Sequence, residues 1–272
     1  MLKKIAIIIS VVLLLSGCEG FSFKHAEPAV KPVQIKKTEK PLQQFERGDV
    51  SIVGIGDSLT AGVGDDQKKG YIGFVQQKLI TDEKLKNVTV SNYAVLGYQT
   101  DDLIKRLNRP EVITAVKGAD IIMLSIGGND VMKVVKNNFI NLTFEPFRKE
   151  QVQYEKKLKE VLQTIRERNP HAKIIFVGLY NPFKYAFPQL SEIDVIINEW
   201  NNGAMSLINN DPNADFVPIA DLYSGGNDKD ILYKDAFHPN EKGYSLIGQR
   251  VFDKLTKLEL TKPGYEETQI IR

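Results

Sequence analysis

The 272-residue sequence predicts an α/β fold: a single domain of three layers, α/β/α, around a five-stranded parallel sheet. Two observations carry the prediction. From about Gly48 onward, apolar runs rich in β-branched residues alternate with segments of helical period. Continuous apolar strands separated by helices imply a parallel sheet covered on both faces. The reactive residue types also fall just after those runs, at the carboxyl edge where open parallel sheets bind ligands.

Taken in order, the predicted strands are residues 50–55, 88–93, 120–126, 173–177 and 215–219. The predicted helices are 71–79, 101–116, 147–168 and 193–209, and a last helix, 241–255, closes the fold. The 147–168 pattern is the clearest, because Tyr154, Leu158, Val161, Leu162 and Ile165 share one face at helical spacing. Its stop is Asn169-Pro170, since the residue before proline disfavours helix. No internal repeat, low-complexity tract or second domain interrupts residues 48–260, and residues 261–272 read as a polar tail.

The amino-terminal residues 1–17 read as an export signal. Lys3 and Lys4 precede an eleven-residue apolar stretch, 5–15, broken only by Ala6 and Ser10. That is too short for a bilayer span, which needs roughly 20 helical residues, but it suits the core of a signal peptide. The stretch ends in Leu15-Ser16-Gly17-Cys18, and Cys18 is the chain's one cysteine. The tetrapeptide resembles a bacterial lipobox. The resemblance implies that Cys18 carries diacylglycerol and becomes the mature terminus, holding the protein on the extracytoplasmic face of the cell membrane through two or more acyl chains. The alternative is an ordinary signal peptide followed by a buried cysteine. Residues 18–47 then form a tether, with three prolines, six basic and four acidic residues and too little apolar surface to offset ordering.

Charge and cysteine usage narrow the class. The formal charge is +2, and it falls to zero without Lys3 and Lys4, so nucleic acid is not expected as a partner. With no cysteine left in the folded part, stability must come from packing, which a chain of this length supplies. A monomer is expected.

Chemistry concentrates in three segments: Gly56-Asp57-Ser58-Leu59, Gly127-Gly128-Asn129-Asp130, and Asp235-Ala236-Phe237-His238-Pro239. A serine is a poor nucleophile until a base takes its proton, and the base works best when a carboxylate orients it. Of three histidines, His25 lies in the tether and His171 in an Asn-Pro-His turn. His238 remains, with Asp235 three residues upstream. Two other readings of the first segment fail by inspection. A dinucleotide-binding G-x-G-x-x-G needs glycine where Leu59 stands, and the nucleophile elbow G-x-S-x-G needs it where Thr60 stands.

Together with residues 92–97, these segments resemble the GDSL, or SGNH, hydrolase family, in order and across residues 50–255. The resemblance implies a flavodoxin-like SGNH hydrolase fold and a serine ester hydrolase. Ser58 would be the nucleophile, His238 the general base and Asp235 its orienting carboxylate. The backbone N–H groups of Ser58 and Gly97 and the side-chain amide of Asn129 would meet the oxyanion. Ala94 stands where the family more often has glycine, which makes Gly97 the least secure of these donors. Asn92 reads as a hydrogen-bonding strand end, and Asp57 and Asp130 as braces of their loops. Asp65-Asp66 lies in a polar loop, and Asp101-Asp102 suits a helix start. No cofactor is expected, and no His, Cys and carboxylate cluster has metal-ligand spacing.

The substrate reading rests on two apolar stretches, each expected as a loop. One runs through Val131, Met132, Val134, Val135, Phe139, Ile140, Leu142, Phe144 and Phe147; the other has Tyr180, Pro182, Phe183, Tyr185 and Phe187. As a wall for an acyl chain they suggest a lipid-like ester such as a lysophospholipid; as caps on the core they suggest nothing about substrate. The alternatives are an acetylesterase acting on cell-wall or surface polysaccharide, and a non-catalytic binding lipoprotein.

Overall fold

The structure is a computed structural model and describes residues 48–83, 85–138, 142–182, 184, 192–224 and 228–257. The predicted signal segment, Cys18, the tether before residue 48 and the tail lie outside the described residues, as do Phe139, Ile140, Phe183, Tyr185 and Phe187.

Five strands form one sheet: β1 (Asp49–Gly56), β2 (Asn87–Asn92), β3 (Ile121–Ser125), β4 (Lys173–Val177) and β5 (Ala214–Val217). Every pairing is parallel and the order is β2-β1-β3-β4-β5. All five predicted strands are present within a few residues of the predicted bounds. The helices are α1 (Ser58–Ala61), α2 (Gly70–Thr81), α3 (Thr100–Leu107), α4 (Pro110–Lys117), α5 (Gly128–Asn137), α6 (Phe144–Arg168), α7 (Glu192–Ile208) and α8 (Glu241–Lys257).

Alternation along β1 explains the layering, because successive strand residues point to opposite faces. Val53 and Ile55 join Leu103, Val112, Leu158, Ile165 and Trp200 in a core under α3, α4, α6 and α7. Val50 and Ile52 join Tyr71, Val75, Tyr244, Ile247 and Val251 in a second core under α2 and α8. Helices α2 and α8 therefore cover one face, and α3, α4, α6 and α7 the other. The crossover direction reverses between β1 and β3, and this reversal opens the ligand crevice of doubly wound sheets.

Two expectations about helices need correction. The pattern over residues 101–116 is not one helix but two, α3 and α4, with Arg109 extended (φ −76°, ψ 136°) between them. Pro110 enforces the break, because its ring excludes helical backbone at the residue before it while fitting the first turn of α4. The stretch after Asp130 is not a loop. It is helix α5, and Val131, Val134 and Val135 are buried in the core, so most of that apolar surface is helix packing.

Strands β1 and β3 meet closely at their carboxyl ends. Gly56 pairs with Ser125 at the last rung and has φ +121°, a region that L residues avoid. A Cβ at Gly56 would run into the Ser125 carbonyl oxygen. Substitution of Gly56 by alanine is therefore expected to destabilise the domain by about 2–4 kcal/mol through combined strain and overpacking. Urea unfolding followed by circular dichroism checks this, and an unchanged midpoint would contradict it.

Candidate active site

The turn after β1 presents Ser58. Asp57 caps α1, its Oδ1 accepting the Leu59 N–H at 3.1 Å. Ser125 Oγ donates to the same Asp57 oxygen at 2.6 Å. Having spent its proton there, Ser125 Oγ accepts from the Thr60 N–H at 3.1 Å and from Thr60 Oγ1, 2.7 Å away. Thr60 Oγ1 then accepts from the Tyr71 hydroxyl at 2.7 Å. With Asp57 ionised, every proton in this buried chain points toward its carboxylate. Burial raises the Asp57 carboxyl above its ordinary range, against the bonds from Ser125 and Leu59 and the charge on His238.

His238 reaches Ser58 from the loop before α8. Its Nε2 lies 2.9 Å from Ser58 Oγ across 180 sequence positions. Its Nδ1 lies 2.7 Å from Asp235 Oδ2, so a neutral ring facing this carboxylate carries its proton on Nδ1 and offers the Nε2 lone pair to the serine. Asp235 holds this pose with both oxygens, because Oδ1 accepts the N–H groups of Phe237 and His238, each at 3.0 Å. The intervening Ala236 takes a left-handed φ of 54°, and that turn lets a residue and its third neighbour face each other. Burial raises the Asp235 carboxyl, but the bonds from the His238 ring and the two backbone amides outweigh it and hold the group below its usual range. The loop is pinned from β4 as well, since the Tyr180 hydroxyl donates to the Phe237 carbonyl at 2.5 Å and its ring stacks on Tyr223.

Asn129 and Asp130 open α5, just past β3. Asn129 Nδ2 donates one proton to the Tyr98 carbonyl at 3.0 Å, which fixes the amide's orientation and leaves its second N–H available. Asp130 accepts from the Thr100 N–H at 3.1 Å and from the Thr100 hydroxyl at 3.0 Å. Burial pushes the Asp130 carboxyl up to about 6, although the Thr100 bonds and the Lys157 charge pull it down and Glu150 adds to the rise.

Ser58, Asn129, Asp235 and His238 therefore converge. One cavity of about 50 Å³ has Ser58, Asn129 and His238 in its wall, together with Leu59, Val131, Leu179, Pro182, Ile197 and Phe237. Gly97 does not line it. Gly97 sits in the loop between β2 and α3 with φ +83° and open space where a Cβ would be. No described residue accepts from its N–H or from that of Ser58. Asn92 braces this loop as its position suggested, donating to the Thr60 carbonyl at 2.7 Å. His171 lies just before β4, at the amino edge, away from the site. Ser125, Thr60 and Tyr71 support the site and were not assigned a role from the sequence, and Tyr180, expected as apolar wall, holds the His238 loop through its hydroxyl. A lone hydroxyl ending the strand Ile121-Ile122-Met123-Leu124-Ser125 was the available signal. Among the described residues, no group of three or more His, Cys, Asp or Glu side chains is placed to hold a metal ion.

The doubly wound sheet, with a serine, an imidazole and a carboxylate in line at its switch point, defines a serine ester hydrolase. Residues 55–246 match the GDSL-like Lipase/Acylhydrolase family, and the chain belongs to that family. It is 38% identical over 262 residues to the uncharacterized protein YpmR of Bacillus subtilis, covering 96% of this chain and 99% of that protein. It is 26% identical over 204 residues to the spore germination lipase LipC of Bacillus licheniformis, covering 72% of this chain and 92% of that one. Among solved structures, the lipase Lip_vut3 from a goat rumen metagenome superposes with a TM-score of 0.67 at 25% identity, over 74% of this chain and 95% of that one.

Asp130 carries a stability consequence. Its folded carboxyl titrates near 6 and its unfolded one near 3.8, so between those values the folded state binds the extra proton. The contribution is then most favourable below 3.8 and is lost as pH rises through 6, a difference on the order of 1–3 kcal/mol. Comparing unfolding free energies of the wild type and Asp130→Asn from pH 4.5 to 7.5 tests this. The variant is expected to lose that part of the slope, and parallel curves would contradict it.

Proposed function

We propose that this chain hydrolyses carboxylic esters with apolar, lipid-like acyl groups, such as lysophospholipids, through an acyl-enzyme on Ser58. His238 Nε2 takes the Ser58 proton as Oγ attacks the ester carbonyl carbon, and Asp235 stabilises the resulting imidazolium. The carbonyl oxygen becomes an oxyanion met by the Ser58 and Gly97 N–H groups and the free N–H of Asn129. The imidazolium then gives its proton to the departing alkoxide, and a water repeats the cycle to release the acid. The observation that carries this reading is the 2.9 Å approach of His238 Nε2 to Ser58 Oγ, with the ring's other nitrogen held by Asp235.

The apolar wall beside Ser58 supports the substrate class. A second cavity, about 390 Å³, is lined by Leu142, Phe144, Phe147, Ile193 and Ile196, the last two on α7, which also supplies Ile197 to the first. A second reading, an acetylesterase on surface polysaccharide, is favoured by the size of the first cavity. Its 50 Å³ holds roughly three or four water-sized groups. Turnover of p-nitrophenyl esters from acetyl to palmitoyl separates the two. Rising kcat/KM beyond butyryl is expected, and a strict preference for acetyl would favour the second reading.

Labelling with a serine-directed fluorophosphonate tests the mechanism and excludes a purely binding role. Ser58→Ala should abolish it, and an adduct on another residue would overturn the assignment. Asp235→Asn is expected to lower kcat by on the order of 10³–10⁴-fold by presenting the wrong tautomer. The reading also places the enzyme at a membrane through Cys18, on the strength of the Leu15-Ser16-Gly17-Cys18 pattern. In detergent phase separation, the full chain from a bacterial host should partition with detergent and Cys18→Ser with water; equal partitioning would remove the anchor from the proposal.

A further inference from the structure

Asp130 is a buried carboxylate that the reaction itself does not use. It is 2% exposed, and an asparagine would fill much the same space without the cost of burying a charge. Both of its strong contacts go to one residue, Thr100, the first residue of α3. That residue ends the loop that carries Gly97. The start of the loop is tied to the sheet and to the nucleophile turn: the Tyr93 N–H donates to the Gly54 carbonyl at 2.7 Å, the Val95 N–H to the Gly56 carbonyl at 3.0 Å, and Asn92 to Thr60. Its far end is held by Asn129 at Tyr98 and by Asp130 at Thr100. Between the anchors the loop closes on itself only through Tyr98 N–H to the Val95 carbonyl, a long bond of 3.3 Å.

We infer that Asp130 is a positioning residue for oxyanion binding: by gripping Thr100 it sets where the Gly97 N–H stands and frees Asn129 from anchoring the loop alone. This rests on the role proposed above for Gly97 and Asn129. A charged acceptor suits the task, because its bonds to an N–H and a hydroxyl are about twice as strong as neutral ones, and the amino end of α3 favours the anion. Both partners are buried, so water does not compete for the bonds. Without the carboxylate, the single Asn129 amide would have to hold the loop and bind the oxyanion at once.

The test uses the full chain with p-nitrophenyl butyrate as substrate and an alkyl trifluoromethyl ketone as probe, whose adduct on Ser58 carries an oxyanion. Asp130→Ala is expected to lower kcat roughly 30–300-fold, below or near the loss of one whole oxyanion donor. The inhibition constant of the ketone should rise by a similar factor while KM changes less than about twofold. Asp130→Asn keeps an acceptor oxygen without the charge and should fall between Asp130→Ala and the wild type in both kcat and ketone affinity. Thr100→Val, which removes only the hydroxyl bond, should lose about 3–10-fold in kcat and in ketone affinity. A folded Asp130→Ala with wild-type kcat and ketone affinity would overturn the inference, as would a fall in kcat with ketone affinity unchanged. If Asp130→Ala does not fold, unchanged values in Thr100→Val overturn it instead. Residual turnover by Ser58→Ala would defeat the underlying mechanism, not this role of Asp130.

Discussion

The site depends on how closely β1 approaches β3 at their carboxyl ends. Gly56 has no side chain to hold the strands apart, and the next residue, Asp57, donates its N–H to the Ser125 carbonyl at 3.0 Å. Ser125 returns the bond through its hydroxyl to the Asp57 carboxylate. That reciprocal pair makes the nucleophile turn an extension of the sheet rather than a free loop. It also sets the distance from Ser58 to the start of α5, two residues past Gly127, where Asn129 stands. Rigid strand ends position side chains more accurately than loops do, and here Ser58 follows the end of β1 and Asn129 the end of β3.

Much of this was readable in the residues. The strands were visible because parallel, doubly covered strands are continuously apolar and short. Ser58, Asp235 and His238 were visible because few residue types do this chemistry and only one histidine was suitably placed. What the sequence hid was mostly context. The 101–116 pattern kept its helical period through Pro110, so period alone masked a break that proline chemistry required. The α5 valines read as an apolar loop. Yet Gly127, with φ +117°, is only the entry to a helix that buries them. The Thr60–Ser125–Tyr71 chain was hidden for another reason: hydroxyls that meet across 65 positions leave no local signature. The position of Gly97 was legible as a loop glycine.

The electrostatics divide three carboxylates in and around the site by place. Asp235, surrounded by donors, is held ionised. Asp57 and Asp130 lie deeper and are pushed the other way. Each of these two is bonded to backbone N–H groups and hydroxyls rather than paired with a cation at contact distance. Carboxylates held in this way act as fixed acceptors that orient hydroxyls and amides. The fold thus tolerates two costly charges to keep the turn after β1 and the loop after β2 in register.

The order of these groups along the chain has a further consequence. A polypeptide made from its amino end first completes β1, β2 and β3, with Ser58, Gly97 and Asn129, while residue 238 is still unmade. His238 precedes only the final helix, and α8 seals the second core by packing Tyr244, Ile247 and Val251 against α2 and the sheet. A chain that stops short of residue 238 therefore holds Ser58 without the imidazole that takes its proton.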